Sequence, residues 1–165
     1  MAMLLGAGMI VQAVEALYVP PVMIPGAKLG LANSVTVLVV ALFGWREVMI
    51  HVATRVIAVS FITGTFMSTT FVYSLAGGLL SAVFMLIVYN ALHGTLSYAG
   101  ISVVGAQVHN LTQMGLAILI LGHIGVVMLL PWLIVIATFT GLANGLLVNV
   151  VGPRIQVISA ELQRG

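Results

Sequence analysis

The 165 residues carry five Lys or Arg, three Glu and no Asp, so charged side chains make up 5% of the chain against 62% hydrophobic, with a mean hydropathy of +1.27. A soluble domain is roughly 25% charged, and here the stretch from Val56 to Pro153 has no Asp, Glu, Lys or Arg at all; composition excludes a soluble protein and predicts an integral membrane one. The net charge of +2 is spread along the chain rather than clustered, which excludes a nucleic-acid surface, and the absence of cysteine excludes disulfides and thiolate chemistry.

A closed barrel needs strands of about 10 residues that alternate apolar and polar, whereas these stretches are apolar all round. The expected fold is all-α, a polytopic bundle of six transmembrane helices forming one domain over residues 1–165. The first span, Ala2 to Tyr18, lacks the basic start and cleavage site of a leader, so it reads as retained, and it carries Glu15 near its end. A Pro-rich connection, Val19 to Lys28, leads to a second span, Leu29 to Phe43, which is short for a crossing. After Gly44 to Glu47, the third span, Val48 to Met67, holds Arg55 about 12 Å along its axis. Ser68 to Thr70 separates it from the fourth, Phe71 to Tyr89; that break reads as a loop or a kink, so five crossings are compatible as well as six. Asn90 to Ala99 leads to the fifth, Gly100 to Leu121, and Gly122 to Ile124 to the sixth, Gly125 to Val150. A tail over 151–165 carries Arg154, Glu161 and Arg164. With six spans, Arg46, Arg154 and Arg164 share a side with the N-terminus and only Lys28 lies opposite, which predicts an N-in, C-in topology.

Small residues recur at helix-packing spacing, as Ala2 and Gly6, Gly26 and Gly30, and Gly141 and Gly145. Such pairs let backbones approach in lipid, where no hydrophobic force drives helices together. The tetrapeptide Gly-Leu-Ala-Asn ends at both Asn33 and Asn144 and reads as coincidence rather than as an inverted repeat.

Polar groups inside such a chain are the functional candidates, because a charge at bilayer depth costs about 2.5 to 3.5 kcal/mol on insertion scales. His109, Asn110 and Gln113 in the fifth span lie three and four residues apart, on neighbouring parts of one helical face. They read as a substrate-binding stripe or, alternatively, as interhelical hydrogen bonds. Glu15 and Lys28 read as an ion pair beside the first connection, or as an anion contact, Lys28, with Glu15 tuning it. The Arg55 side chain leans toward its helix N-terminus, the inner side, which weakens it as a contact for a substrate arriving from outside and leaves pairing, or a structural or coupling role.

Several chemistries are absent. Without Asp there is no aspartate-rich magnesium motif of prenyl-diphosphate chemistry, and no G-x-x-x-x-G-K-[ST] loop occurs. His51, His93, His109 and His123 are scattered and lack the H-E-x-x-H arrangement. The expectation is a protein with no enzymatic activity, metal or cofactor of its own.

Pro25-Gly26-Ala27-Lys28-Leu29-Gly30-Leu31-Ala32-Asn33 resembles the signature of a bacterial membrane family, the Gx transporters, also called heptaprenyl diphosphate synthase component I. Further similarities are Trp45-Arg46-Glu47 before the span with Arg55, Ser74-Leu75-Ala76-Gly77-Gly78-Leu79-Leu80-Ser81, and His109-Asn110-Leu111-Thr112-Gln113, so the resemblance covers nearly the whole chain. That family looks like the substrate-binding S components of energy-coupling factor importers. The resemblance implies a six-helix S component in the bacterial plasma membrane that captures a small molecule and topples with a membrane coupling subunit and two ATPase subunits. It places Lys28 and Asn33 in the signature, and it sets Ala2 and Gly6 where S components carry an Ala-xxx-Ala docking patch, Gly keeping that surface small. The family's other name points to an isoprenoid or quinone precursor, and Lys28 to an anionic group on it. Two further readings stay open: a non-catalytic membrane subunit that assists a polyprenyl diphosphate synthase, and a stand-alone carrier or scaffold.

Overall fold

The computed structural model describes residues 1–18, 31–92 and 95–162, with residues 154–162 described by backbone alone. These residues form six α-helices and one 3-10 segment: α1 (Ala2–Tyr18), α2 (Asn33–Leu42), α3 (Trp45–Ile62), α4 (Thr69–Ala91), α5 (Tyr98–Leu121), the 3-10 segment (Ile124–Leu129) and α6 (Leu130–Leu162). The chain is all-helical among the described residues, as composition predicts. Lys28, Gly26, Gly30 and His93 lie outside the described residues, as do the Glu15–Lys28 pair and the whole first connection, Val19 to Lys28.

Three helices are long and apolar enough to cross a membrane, over Thr69–Ala91, Tyr98–Leu121 and Ile124–Pro153. The other three depart from that standard for identifiable reasons. α1 has 17 residues and α2 only 10, about 15 Å at 1.5 Å per residue against a hydrocarbon core near 30 Å. α3 has the length, but Arg46, Glu47, His51 and Arg55 lower its hydropathy.

Local chemistry sets the helix ends. The break expected at Ser68 to Thr70 is a longer loop over 63–68, because Gly64 turns the chain at φ 66° and Met67 also takes a positive φ of 63°. Ser68 then caps α4, accepting from the Phe71 N–H at 3.3 Å, and Ser97 caps α5 in the same way through the Gly100 N–H at 3.4 Å. Gly122 closes α5 in the left-handed region, donating to the Ile118 carbonyl at 2.9 Å.

α2 is the hub. It touches α1, α3, α4, α5 and α6, and every residue from Asn33 to Val40 is buried, so this Val-rich run is apolar on every side beyond Asn33, Ser34 and Thr36 because it has no outer face. α5 lies between α4 and α6. A Cβ on Gly141 would fall 2.7 Å from Val103 Cα, and one on Gly145 would run into the backbone of Ala99, so this small-residue pair is where two backbones meet. Gln107 Nε2 clasps the seam, donating to the Ile134 carbonyl at 3.0 Å and to Thr138 Oγ1 at 2.8 Å. α1 is held more lightly, against α2 and α3.

Polar side chains turn inward and apolar ones outward, the reverse of a soluble bundle. α1 buries Leu4, Gly8, Gln12 and Glu15 at three- and four-residue spacing while Met3, Ile10, Val14 and Leu17 are exposed. α3 buries His51, Arg55 and Ser60 and exposes Ile50, Ile57 and Phe61; α5 buries Ser102, His109 and Gln113 and exposes Leu111 and Leu119. In a bilayer this puts hydrocarbon against hydrocarbon and polar groups against one another.

Candidate functional site

The inward stripes of five helices converge on one cavity, lined by Gln12 and Glu15 of α1, Ala32 and Asn33 at the start of α2, Arg55 and Val56 of α3, Ser74 of α4 and His109 of α5. Its volume is about 20 Å³, room for about one water molecule and too little for an organic ligand. A closed, narrower crevice shares Gln12, Val56 and Ser74 with it and leads past Ser60 to Thr63 and Thr65 in the 63–68 loop. The cavity therefore lies toward the end of the bundle where α3 turns into α4.

Each lining residue has a local reason to be there. Gln12 and Glu15 are three apart and share the buried face of α1. Asn33 opens α2, so its side chain is carried into the middle of the bundle by the hub helix, where it is 3% exposed. Arg55 is also 3% exposed; it reaches this depth because α1 has Gly8 opposite, where a Cβ would stand 3.0 Å from Arg55 Cδ and 3.3 Å from His51 Cε1. Gly77 plays the same part for α5: a Cβ there would fall 2.9 Å from His109 Nδ1 and 3.4 Å from Gln113 Cγ. Glu15 and Arg55, of opposite charge, line the same cavity and interact electrostatically.

Several buried polar atoms have no hydrogen-bond partner among the described residues: Gln12 Oε1, Asn33 Nδ2, Arg55 Nε and Nη1, and Ser74 Oγ on the cavity wall, with both ring nitrogens of His51 and both side-chain amide atoms of Gln113 nearby in sequence. Each buried group left without a partner costs about 1 to 3 kcal/mol, more when charged. Native interiors rarely leave such groups unanswered, and a cluster of them marks a place that water or a ligand completes. Among the described residues no group of three or more His, Cys, Asp or Glu is placed to hold a metal ion.

Of the candidates read from sequence, Glu15, Asn33, His109 and Arg55 meet in this cavity. Arg55 is enclosed by α1 and α3, where Gly8 leaves space that a larger residue would fill, with Glu15 on the same cavity wall. Gln113 is buried one turn beyond His109, beside Gly77 and off the cavity wall. Asn110 parts from them: one residue is 100° around a helix, and this turns it toward α6, where Nδ2 donates to the Leu133 carbonyl at 3.3 Å. The three polar residues of α5 are thus not one stripe. Ala2 is exposed and Gly6 half-buried on the other side of α1, and a Cβ on Gly6 would meet nothing within 4 Å. Gln12 and Gly8 escaped the sequence reading, and Ser74, Gly77 and His51 entered it without a role at the site. Gln12 had a signal in its spacing of three from Glu15, and His51 in its spacing of four from Arg55; Ser74 and Gly77 stood only in a stretch similar to the family, and Gly8 had nothing that set it apart from ordinary packing residues.

A family model described as heptaprenyl diphosphate synthase component I matches residues 4–151. The chain belongs to that family. No curated protein and no solved structure matches it.

Proposed function

We propose that this member of the heptaprenyl diphosphate synthase component I family is the substrate-binding S component of an energy-coupling factor type importer, taking a small, anionic organic compound. The observation that carries this reading is the cavity itself: five helices that could have packed through apolar side chains instead turn Gln12, Glu15, Asn33, Arg55, Ser74 and His109 onto one point. Interhelical hydrogen bonds are worth only about 0.6 kcal/mol each on average, and Gln12 Oε1, Asn33 Nδ2, Arg55 Nε and Nη1 and Ser74 Oγ have no hydrogen-bond partner among the described residues, so the convergence is poorly explained as packing. The chain has no nucleotide-binding loop, and a membrane coupling subunit with two ATPase subunits would supply the energy, docking on the small surface of α1 at Ala2 and Gly6. Lys28, in the sequence motif of the first connection, is a further candidate anion contact. Since the cavity holds about one water, loading requires its walls to part, and α1, which among the described residues packs on α2 and α3, is the wall held least.

The reading is tested by purifying the chain with the coupling and ATPase subunits and by mass spectrometry of small molecules that co-purify. A stable complex, uptake that fails with Gly6→Trp, and a bound compound lost in Lys28→Ala and His109→Ala without loss of thermal stability are expected. No complex, with uptake indifferent to Gly6→Trp, would sink it.

The family's description favours a second reading, a non-catalytic membrane subunit associated with a polyprenyl diphosphate synthase. With no Asp in the chain, it would act by binding the soluble synthase or its product. Synthase activity that is the same with and without this chain would rule that out.

A further inference from the structure

We propose that Arg55 is the anion-recognising group of the central cavity and that the ligand presents to it an oxyanion, a carboxylate or a phosphate. This rests on the reading of the cavity as a ligand site and specifies its chemistry. Arg55 lines the cavity at 3% exposure, and its Nε and Nη1 have no partner among the described residues. A guanidinium only donates and stays charged, so these atoms call for an acceptor. The neighbouring wall adds Asn33 Nδ2 and the Ser74 hydroxyl, also unanswered, against the unpartnered acceptor Gln12 Oε1. Unanswered donors outnumber acceptors, and the complement of such a surface is rich in acceptors and negative.

A single water could accept from one or two of these donors but not from all of them, and a guanidinium bonds an oxyanion more strongly than a neutral acceptor. Glu15 lies on the same wall and its charge acts on Arg55, so a bound anion would compete with it for the guanidinium. The stem of Arg55 lies against the α1 backbone at Gly8, and a donor confined in this way loses less freedom on binding than an open one. One turn earlier His51, fully buried against the same glycine with both nitrogens unpartnered, presents at least one N–H in every protonation state and keeps the region behind Arg55 donor-rich.

The opposite signs expected for Arg55 and Glu15 make the test sharp. The full chain in lipid nanodiscs is melted at constant ionic strength in chloride, acetate or inorganic phosphate, and the small molecules that co-purify with it are identified by mass spectrometry. Acetate, phosphate or both should raise the wild-type melting temperature by about 5 °C or more near saturation, the responding anion naming the head group. Arg55→Gln should need at least about tenfold more anion for the same shift, Arg55→Lys should retain part of the response, and Glu15→Gln should respond at lower anion concentration than wild type. If Arg55→Gln does not fold, the comparison of Arg55→Lys and Glu15→Gln with wild type decides. A wild type that ignores both anions, or an Arg55 variant that responds as wild type does, overturns the proposal. A neutral compound that co-purifies and is retained by the Arg55 variants also overturns it, while leaving the cavity a ligand site; absence of both a co-purifying compound and an anion response would overturn the site reading as well.

Discussion

At the scale of single residues, two glycines do for the site what no polar residue could. Gly77 leaves the α4 backbone bare where His109 lies, and Gly8 does so where Arg55 and His51 lie. A Cβ at 77 would stand 2.9 Å from His109 Nδ1 and 3.0 Å from Cε1, so Gly77→Ala forces the imidazole to move by a few tenths of an ångström. Gly115→Ala, in a position where a Cβ meets nothing within 4 Å, is the matched control: both changes gain about 0.5 to 1 kcal/mol of helix propensity, but only the first disturbs the cavity. Binding of the co-purifying compound should fall in Gly77→Ala and hold in Gly115→Ala, with the melting temperature of the control equal to or above wild type. Equal binding by the two variants would show that His109 takes no part in the site. Sequence made His109, Glu15 and Asn33 legible because a polar group in an apolar run stands out. It left Gly8 and Gly77 hidden among 18 glycines, since what distinguishes them is a neighbour on another helix.

At the scale of elements, the two small-residue patches behave oppositely. Gly141 and Gly145 are spent inside the molecule, where α6 meets the α5 backbone at Val103 and Ala99, with the Gln107 hydrogen bonds beside them. Ala2 and Gly6 face outward, with open space above Gly6. Gly145→Val therefore has to push two backbones apart and should cost about 1 to 3 kcal/mol, read as a lower melting temperature of the isolated protein. Gly6→Val should leave that temperature within the few degrees that about 0.5 kcal/mol represents. Similar losses in both would mean that α1 packs on something through Gly6. Spacing predicted each pair equally well; which one is internal depended on the partner helix. The same holds within α5, where spacing grouped Asn110 with His109 and Gln113, and the position of α6 divided them.

For the whole molecule, the inversion of polarity is the organising feature: the polar side chains of α1, α3, α4 and α5 face one another while Met3, Ile57, Phe84 and Leu119 face out. That arrangement is stable in hydrocarbon and would expose a large apolar surface to water. The N-in, C-in orientation is open to a direct test, because the chain has no cysteine of its own. Met67, in the 63–68 loop, and Leu96, between α4 and α5, lie at opposite ends of α4 and both are exposed. In intact cells Met67→Cys should react with a membrane-impermeant maleimide and Leu96→Cys only after the membrane is opened; the reverse pattern would turn the topology, and the proposed direction of capture, around.

Composition alone determined that this chain is helical and lives in a membrane, because 5% charged residues cannot clothe a surface in water and hydrocarbon tolerates only backbones that satisfy themselves. The approximate helices followed from Gly, Pro and capping residues, which act over three or four neighbours and so can be read locally. Tertiary structure alone decided that the short α2 is a buried hub, that Asn110 serves the α6 seam, and that Arg55 stands with Glu15, Asn33 and His109 around one cavity. Those outcomes turn on which faces of different helices meet, a relation between residues up to 97 positions apart, from Gln12 to His109, that no local pattern encodes.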